Sequence, residues 1–290
     1  MKSSRDPAQK ITSGSGSNLA LAFVCLPPER RREMQAFYAF CRLVDDIADE
    51  PAPADDKLRR LDLWKAALRG EQRLDAPEQS ICDTLLDLVN RRGVNPGHYY
   101  EIIAGVEMDI HPQPFADWPA LRLYCHRVAS VVGLVSIQIF GCTSAESVDY
   151  ALNLGLAFQV TNIIRDVGRD YANEQRIYLP QDEMRQFGCE ASQWTTGDGG
   201  KPLRELLGHQ AARAREYYRS ALAHFTRQDA RPLMAAEIMR GVYGTLLNRM
   251  ERAGFPVLHQ RHSLSKPEKL GIIASTWLWV RLNKPGPVRV

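Results

Sequence analysis

The stretch Phe37-Tyr38-Ala39-Phe40-Cys41-Arg42-Leu43-Val44-Asp45-Asp46-Ile47-Ala48-Asp49 decides the reading of this chain. Its apolar residues recur at three- and four-residue spacing, the period of a helix laid on a core. At about 100° per residue, Tyr38, Arg42, Asp45 and Asp49 fall within roughly 60° of one another, with Asp46 beside them. A helix dipole stabilises carboxylates at an N-terminus. Here they gather toward the C-terminal end, where each is disfavoured by about 0.3–1 kcal/mol. The flanking faces are apolar, so the stripe is not a charge run on an exposed helix, and something cationic should offset it.

A second stretch repeats the pattern: Gln159-Val160-Thr161-Asn162-Ile163-Ile164-Arg165-Asp166-Val167-Gly168-Arg169-Asp170. Gln159, Asn162, Asp166 and Asp170 share one face within roughly 80°, and the helix upstream is largely apolar from Leu152 to Phe158. Carboxylates at i and i+4 point the same way and can share a hard cation. Magnesium takes one or two carboxylates, keeps several waters and completes its shell with phosphate oxygens. Two such faces across a cavity would hold a cluster of metals with a diphosphate between them. Arg42 and Arg165 are built into the stripes, and Arg176 and Tyr178 follow in the loop 173–180. The arginine fork can grip two phosphate oxygens at once. Ser13-Gly14-Ser15-Gly16-Ser17-Asn18 offers hydroxyls and backbone N–H groups before the first long helix. A flexible lead-in is the alternative reading there.

Outward from these stretches the helical period continues. Runs at Glu29–Asp49, Pro119–Gly141, Ala145–Tyr171, Leu203–Arg227 and Pro232–Arg252 carry it, and prolines and glycines punctuate the breaks. Thr195 to Pro202 reads as a surface loop. No hairpin signal and no internal repeat is present. The expectation is a single all-α domain over residues 13–284 with about eight to ten helices. It is preceded by a disordered polar segment at 1–12 and followed by a tail at 285–290. A chain of 290 residues buries about three quarters of its unfolded surface, enough for one large core.

Composition excludes several functions. The net charge is +3, with basic residues interleaved among acids, which is not the concentrated stripe of a nucleic-acid binder. The six cysteines form no CxxC pair and read as reduced, buried thiols in a cytosolic protein. The N-terminus lacks the apolar stretch of a secretory signal. Leu270 to Val280 is the most membrane-like segment, but its eleven residues fall short of the about 20 that a span needs. With Trp277, Trp279, Lys269, Arg281 and Lys284 it would suit an interfacial helix. A final helix packed on the body of the protein is the preferred reading.

The chain resembles the squalene/phytoene synthase family. Both aspartate signatures of that family are present, as Asp45-Asp46-Ile47-Ala48-Asp49 and Asp166-Val167-Gly168-Arg169-Asp170, the second followed by Arg176-Ile177-Tyr178-Leu179-Pro180. The similarity runs from about Ser13 to about Leu282. Tyr124-Cys125-His126-Arg127-Val128-Ala129-Ser130-Val131-Val132-Gly133-Leu134 and the serine/glycine-rich start look most like the bacterial presqualene diphosphate synthases of hopanoid synthesis. The resemblance implies an isoprenoid-synthase helical bundle with a central active-site cavity, three magnesium ions and two farnesyl or geranylgeranyl diphosphates. It implies metal-side roles for Asp45, Asp46, Asp49, Asp166 and Asp170, with Asn162 in support. Arg42, Arg165, Arg176, Tyr38 and Tyr178 would hold diphosphate. Ser15, Ser17, Asn18, Tyr124, Val128, Gly133, Gln159 and Asn162 would touch substrate. Two departures stand out: Asn18-Leu19 where many relatives carry serine then phenylalanine, and Arg169 where glutamate is frequent.

The expected chemistry is head-to-head condensation of two farnesyl diphosphates to presqualene diphosphate, with pyrophosphate released. Phytoene, dehydrosqualene or full squalene synthesis are the alternatives, and NADPH is needed only for the last. A non-catalytic assembly protein is the reading from another class; loss of an aspartate cluster would favour it, and both are intact. A carbocation must be kept from water, so an apolar tunnel is expected. Its candidate liners are Ala104, Gly105, Met108, Val128, Ala129, Val132, Gly133, Gly155 and Phe158. The released pyrophosphate or Tyr38 could take the proton. The expected location is cytoplasmic, with peripheral contact at the inner face of the membrane, alongside enzymes that act later on isoprenoids.

Overall fold

Each long helical run is helical in the computed structural model, four of them as single α-helices and Pro119–Gly141 as two, and the structure describes Ala8, Ile11 and residues 22–173, 175–194 and 197–287. Ser15, Ser17 and Asn18 lie outside the described residues. Among the described residues eleven α-helices follow one another from residue 28 on: α1 (Pro28–Asp49), α2 (Ala54–Leu68), α3 (Ala76–Arg92), α4 (Gly97–Ile110), α5 (Trp118–Cys125), α6 (Val131–Phe140), α7 (Glu146–Ala172), α8 (Gln181–Gln186), α9 (Gly200–Ala223), α10 (Met234–Arg252) and α11 (Lys266–Arg281). No strand occurs among the described residues.

Local chemistry sets the boundaries. Pro28 opens α1, where a missing N–H costs nothing. Gly93, at φ 69°, closes α3 in the left-handed conformation. The N-terminus of α7 is served from a distance: the buried Asp229 carboxylate accepts from the backbone N–H groups of Thr143 and Ser144 and from the Ser147 hydroxyl at 2.6–3.0 Å. Those bonds outweigh the effect of burial and hold its pKa below the usual carboxylate value. α9 begins at Gly200, inside the stretch expected to be loop, because Pro202 is tolerated in a first turn.

The run Pro119–Gly141 is not one uniform helix. His126–Ser130 forms a π turn between α5 and α6. α7 crosses this turn at Gly155, where a Cβ would lie 2.6 Å from Ser130 N and 2.8 Å from the Ala129 carbonyl carbon. The Ser130 hydroxyl fastens the crossing by donating to the Leu152 carbonyl at 2.8 Å. Only a residue without a side chain lets the two backbones approach this closely.

Two apolar clusters form the core. One, beneath α1–α4, includes Phe37, Phe40, Trp64, Leu85 and Tyr99. The other, beneath α5–α10, includes Leu121, Leu154, Leu206, Tyr218 and Leu247. A cavity of about 400 Å³ lies between them, walled by α1, α4, α5–α6, α7 and α10. Beside it sits an ion pair with no solvent exposure, Glu237–Arg240, whose guanidinium donates through Nε at 2.9 Å and Nη2 at 2.8 Å. Tyr150, which lines the cavity, donates to Glu237 Oε1 at 2.6 Å. The backbone of Gly286 both donates to Glu237 and accepts from Arg240, so residue 286 of the C-terminal segment is fastened to the core.

The segment Trp118–Phe140 is long and apolar enough to cross a membrane by length and composition, and half of its most apolar window is buried inside the fold. It contributes a wall of the cavity. α11 packs on the body through Ile272, Thr276 and Val280. All six cysteines are free, and Cys82, Cys125 and Cys189 are buried.

Candidate active site

Both acidic stripes lie toward the C-terminal ends of their helices, Asp45, Asp46 and Asp49 on α1 and Asp166 and Asp170 on α7. Asp45 lines the cavity together with Tyr38 and Arg42 from α1 and with Gln159 and Asn162 from α7. The two helices therefore present their polar faces to one space. Asp166 and Asp170 continue the Asn162 face by one and two turns. Across the gap, Arg176 of the loop after α7 donates to Asp49 at 3.2 Å.

Each arginine expected to hold diphosphate is engaged with a carboxylate. Arg42 reaches Asp45 at 2.9 Å and Asp46 at 2.5 Å. Arg165 grips the buried Asp166 through both Nε, at 3.0 Å, and Nη2. Arg169, the departure noted in the second signature, lies 3.4 Å from Asp166 and 3.6 Å from Asp170. Neutralisation is incomplete. Burial, reinforced by Asp49, raises the Asp45 pKa to about 6 against the pull of Arg42. Burial and then the Asp166 charge raise Asp170 to about 6 as well. Asp46 is also raised, by burial, but it does not line the cavity and is held by Arg42 on the flank of α1.

These residues fit a divalent cation. The Asn162 Oδ1 is buried without a hydrogen-bond partner while its amide donates to Gln159 at 3.4 Å. A buried acceptor so left is costly unless a cation or donor completes it. Among the described residues no three carboxylate, imidazole or thiolate groups converge on one point. The carboxylates come instead as pairs one turn apart on separate helices, the donor set magnesium takes when phosphate and water complete its octahedron.

One residue of the site escaped the sequence reading. Asp109 of α4 lines the cavity and accepts from the Tyr178 hydroxyl at 2.7 Å and from the Tyr124 hydroxyl at 2.9 Å. The two phenol rings stack, with centroids 5.3 Å apart. Burial raises the Asp109 pKa despite both hydrogen bonds, and its proximity adds to the burial that raises both phenols. The available signal was its position three residues after Val106 and seven after Ile102, on the core-facing side of an apolar helix.

Of the expected tunnel liners, Val128, Ala129, Val132, Gly133, Gly155 and Phe158 do line the cavity. Ala104, Gly105 and Met108 do not. α4 turns Ile102, Val106 and Asp109 to that space instead, and Gly105 sits behind the wall, where a Cβ would meet Val128 Cγ1 at 2.7 Å. Met108 packs in the second core cluster beside Arg127. Tyr38 lines the mouth, edge-on to Phe23 at 6.2 Å.

The sequence profile of the squalene/phytoene synthases matches residues 12–268. The chain belongs to that family. It is 31% identical over 269 residues to the presqualene diphosphate synthase of Rhodopseudomonas palustris, spanning 92% of this chain and 95% of that one. It is 32% identical over 270 residues to the phytoene synthase of Mycobacterium tuberculosis, spanning 92% and 88%. Among solved structures, a dehydrosqualene synthase in complex with ligand superposes with a TM-score of 0.82 at 24% identity, covering 95% of both chains. A squalene synthase from Alicyclobacillus acidocaldarius superposes with a TM-score of 0.73 at 25% identity, covering 86% of this chain and 93% of the other. The squalene/phytoene synthase fold is thus present over nearly the whole chain, and the family carries out head-to-head isoprenoid condensation.

Proposed function

We propose that this squalene/phytoene synthase joins two farnesyl diphosphates into presqualene diphosphate with release of pyrophosphate. The observation that carries the reading is one cavity with two chemistries: Arg42, Asp45, Asp109, Gln159 and Asn162 at its polar end, and apolar walls of Phe37, Ile102, Val132, Leu154 and Met239 beyond. The volume falls in the roughly 300–1,000 Å³ range of small-molecule sites. Burying fifteen carbons contributes at most about 12 kcal/mol at about 0.8 per carbon, before association costs. The Rhodopseudomonas relative supports presqualene diphosphate as the product.

Asp45 and Asp49 would hold magnesium on one side, and Asp166 and Asp170, with Asn162, on the other. Bound there, magnesium supplies charge stabilisation to the departing pyrophosphate. Arg42, Arg165 and Arg176 grip the diphosphate oxygens, and Tyr178, fixed by Asp109, offers a hydroxyl at the same mouth. The carbon–oxygen bond of the first substrate breaks, leaving an allylic cation and pyrophosphate. The double bond of the second substrate attacks that cation, and loss of one proton closes the cyclopropane. The departing pyrophosphate and Tyr38 are the bases in reach. The apolar walls keep water from the cation.

The Mycobacterium relative favours a second reading, condensation of geranylgeranyl diphosphate to phytoene. Incubation with each diphosphate and magnesium, with and without NADPH, and mass analysis of the products separate them. Presqualene diphosphate from farnesyl diphosphate in both conditions is the expected result. Squalene with NADPH would mean a full squalene synthase, dehydrosqualene without it a dehydrosqualene synthase, and phytoene alone would overturn the substrate. No turnover and no magnesium-dependent pyrophosphate binding would leave an assembly protein.

A further inference from the structure

α11 is apolar on both of its sides. Ile272, Thr276 and Val280 are buried on the inner side, against α10 and the small cluster of Val242 and Leu264. At about 100° per residue, Leu270, Trp277, Leu278 and Leu282 form a stripe on the opposite side. That stripe faces solvent, with Leu270 62%, Leu278 55% and Leu282 61% exposed. A surface helix normally carries polar residues there. Nine large hydrophobic side chains are exposed among the described residues, and five of them, Trp279 included, belong to this helix and its C-cap. Single exposed hydrophobics need no explanation, but a contiguous patch marks an interaction surface.

The rim of the patch is basic. Lys266 and Lys269 border it on one side, Arg281 lies within the stripe and Lys284 follows the helix, while the single acid of the helix, Glu268, is held by Ser265 and Arg249. The Arg281 guanidinium lies 3.7 Å from the Trp277 ring centroid, and the Lys284 ammonium 5.6 Å from that of Trp279. Tryptophan with a cation over its face suits the boundary between hydrocarbon and headgroups. We infer that the outer face of α11 docks the protein on a lipid bilayer bearing anionic headgroups. Sixteen residues are too few to span it, so the helix lies in the plane of the interface. A second copy fits this face poorly, because a two-fold contact would set the basic rim against itself. α10, directly beneath, lines the cavity through Ala235, Ala236, Met239 and Tyr243. Docking therefore places the apolar cavity one helix away from lipid. The inference is independent of which product the enzyme makes.

The test is co-sedimentation of the full chain with vesicles of phosphatidylcholine alone and of phosphatidylcholine with an equal part of phosphatidylglycerol. Binding is expected to be at least about tenfold tighter to the anionic vesicles, given four basic residues at the surface. Leu278→Asp combined with Leu282→Asp should lower it at least about tenfold while circular dichroism and melting stay unchanged, since both side chains are exposed. Brominated lipid should quench wild-type tryptophan emission, and Trp277→Phe with Trp279→Phe should remove that quenching. Equal binding to both vesicles, binding that survives the aspartates, or absence of quenching overturns the inference. So does a wild-type dimer that the aspartates dissociate, because the face would then be covered by a second copy.

Discussion

Adding one methyl group at Gly155 should destabilise the protein although it improves the helix. The new Cβ would lie 2.6 Å from Ser130 N and 2.8 Å from the Ala129 carbonyl carbon. Both are main-chain atoms of the π turn, held in place by the Ser130–Leu152 hydrogen bond, so no flexible side chain can yield. Overpacking a core costs about 1–3 kcal/mol, and an obstruction by backbone belongs at the upper end. Alanine returns about 1 kcal/mol of helix propensity. The net loss is about 2 kcal/mol, or about 4 °C of melting temperature at roughly 2 °C per kcal/mol for a chain of this size. Gly208→Ala on α9 is the matched control, because nothing lies within 4 Å of its Cβ; it should gain about 1 kcal/mol. Calorimetric melting of the two variants side by side, with steady-state turnover, is the assay. Turnover of Gly155→Ala should fall about tenfold or more, since the displaced Val128–Ala129 wall lines the cavity. A Gly155→Ala protein that melts at or above wild type with full turnover would refute the reasoning.

Calorimetric titration should find pyrophosphate bound about 5–150-fold more tightly with magnesium present than without it, and Asp45→Asn or Asp170→Asn should remove most of that coupling. Arg240→Met strands the buried Glu237 carboxylate and should cost about 3–5 kcal/mol in urea unfolding. Tyr150→Phe, which removes one hydrogen bond to the same carboxylate, should cost about 1.5–3 kcal/mol. Glu268 is held down to about 2, first by the Ser265 hydroxyl, then by the Ser265 backbone N–H and Arg249. Its folded pKa is below its unfolded value, so its capping of α11 is complete above about pH 4.5 and is lost as pH falls toward 2. Loss of tryptophan near-ultraviolet dichroism over that window, reproduced at pH 7 by Glu268→Gln, is the expected observation.

The helices and both acidic faces were legible because periodicity carries them: Asp45 with Asp49, and Asp166 with Asp170, each repeat at one turn on an apolar helix. Asp109 has no such partner. A lone carboxylate on α4 became meaningful only when Tyr124 and Tyr178, from two other segments, closed on it. The π turn was hidden for a similar reason. Residues 126–130 keep helical composition, and what distinguishes them is the close approach of Gly155 in the next helix. Glu237 and Arg240, three residues apart, look in sequence like an ordinary exposed ion pair, yet they are fully buried and fastened to Gly286. Gly105 and Met108 were placed on the wrong side of the cavity wall because helical spacing identifies a packed face without saying which neighbour packs there.

The electrostatics of the mouth bear on the proposed role of a cation in holding the anion. The carboxylates sit at helix C-terminal ends, where the dipoles add further negative potential, and burial holds Asp45 and Asp170 at a pKa of about 6. Meanwhile Arg42, Arg165 and Arg176 are each engaged by an aspartate. A diphosphate arriving alone would have to compete with those aspartates for the arginines and, at Arg165, would leave the buried Asp166 carboxylate unpaired. Were magnesium held by Asp45, Asp49, Asp166 and Asp170 as proposed, it would supply those carboxylates with a counter-charge, and Arg42, Arg165 and Arg176 could pair with the phosphate oxygens instead. On the proposed function, the same arginines that pair with the aspartates would form the diphosphate clamp. This is why the coupling between magnesium and pyrophosphate, rather than the affinity of either alone, reports directly on the site.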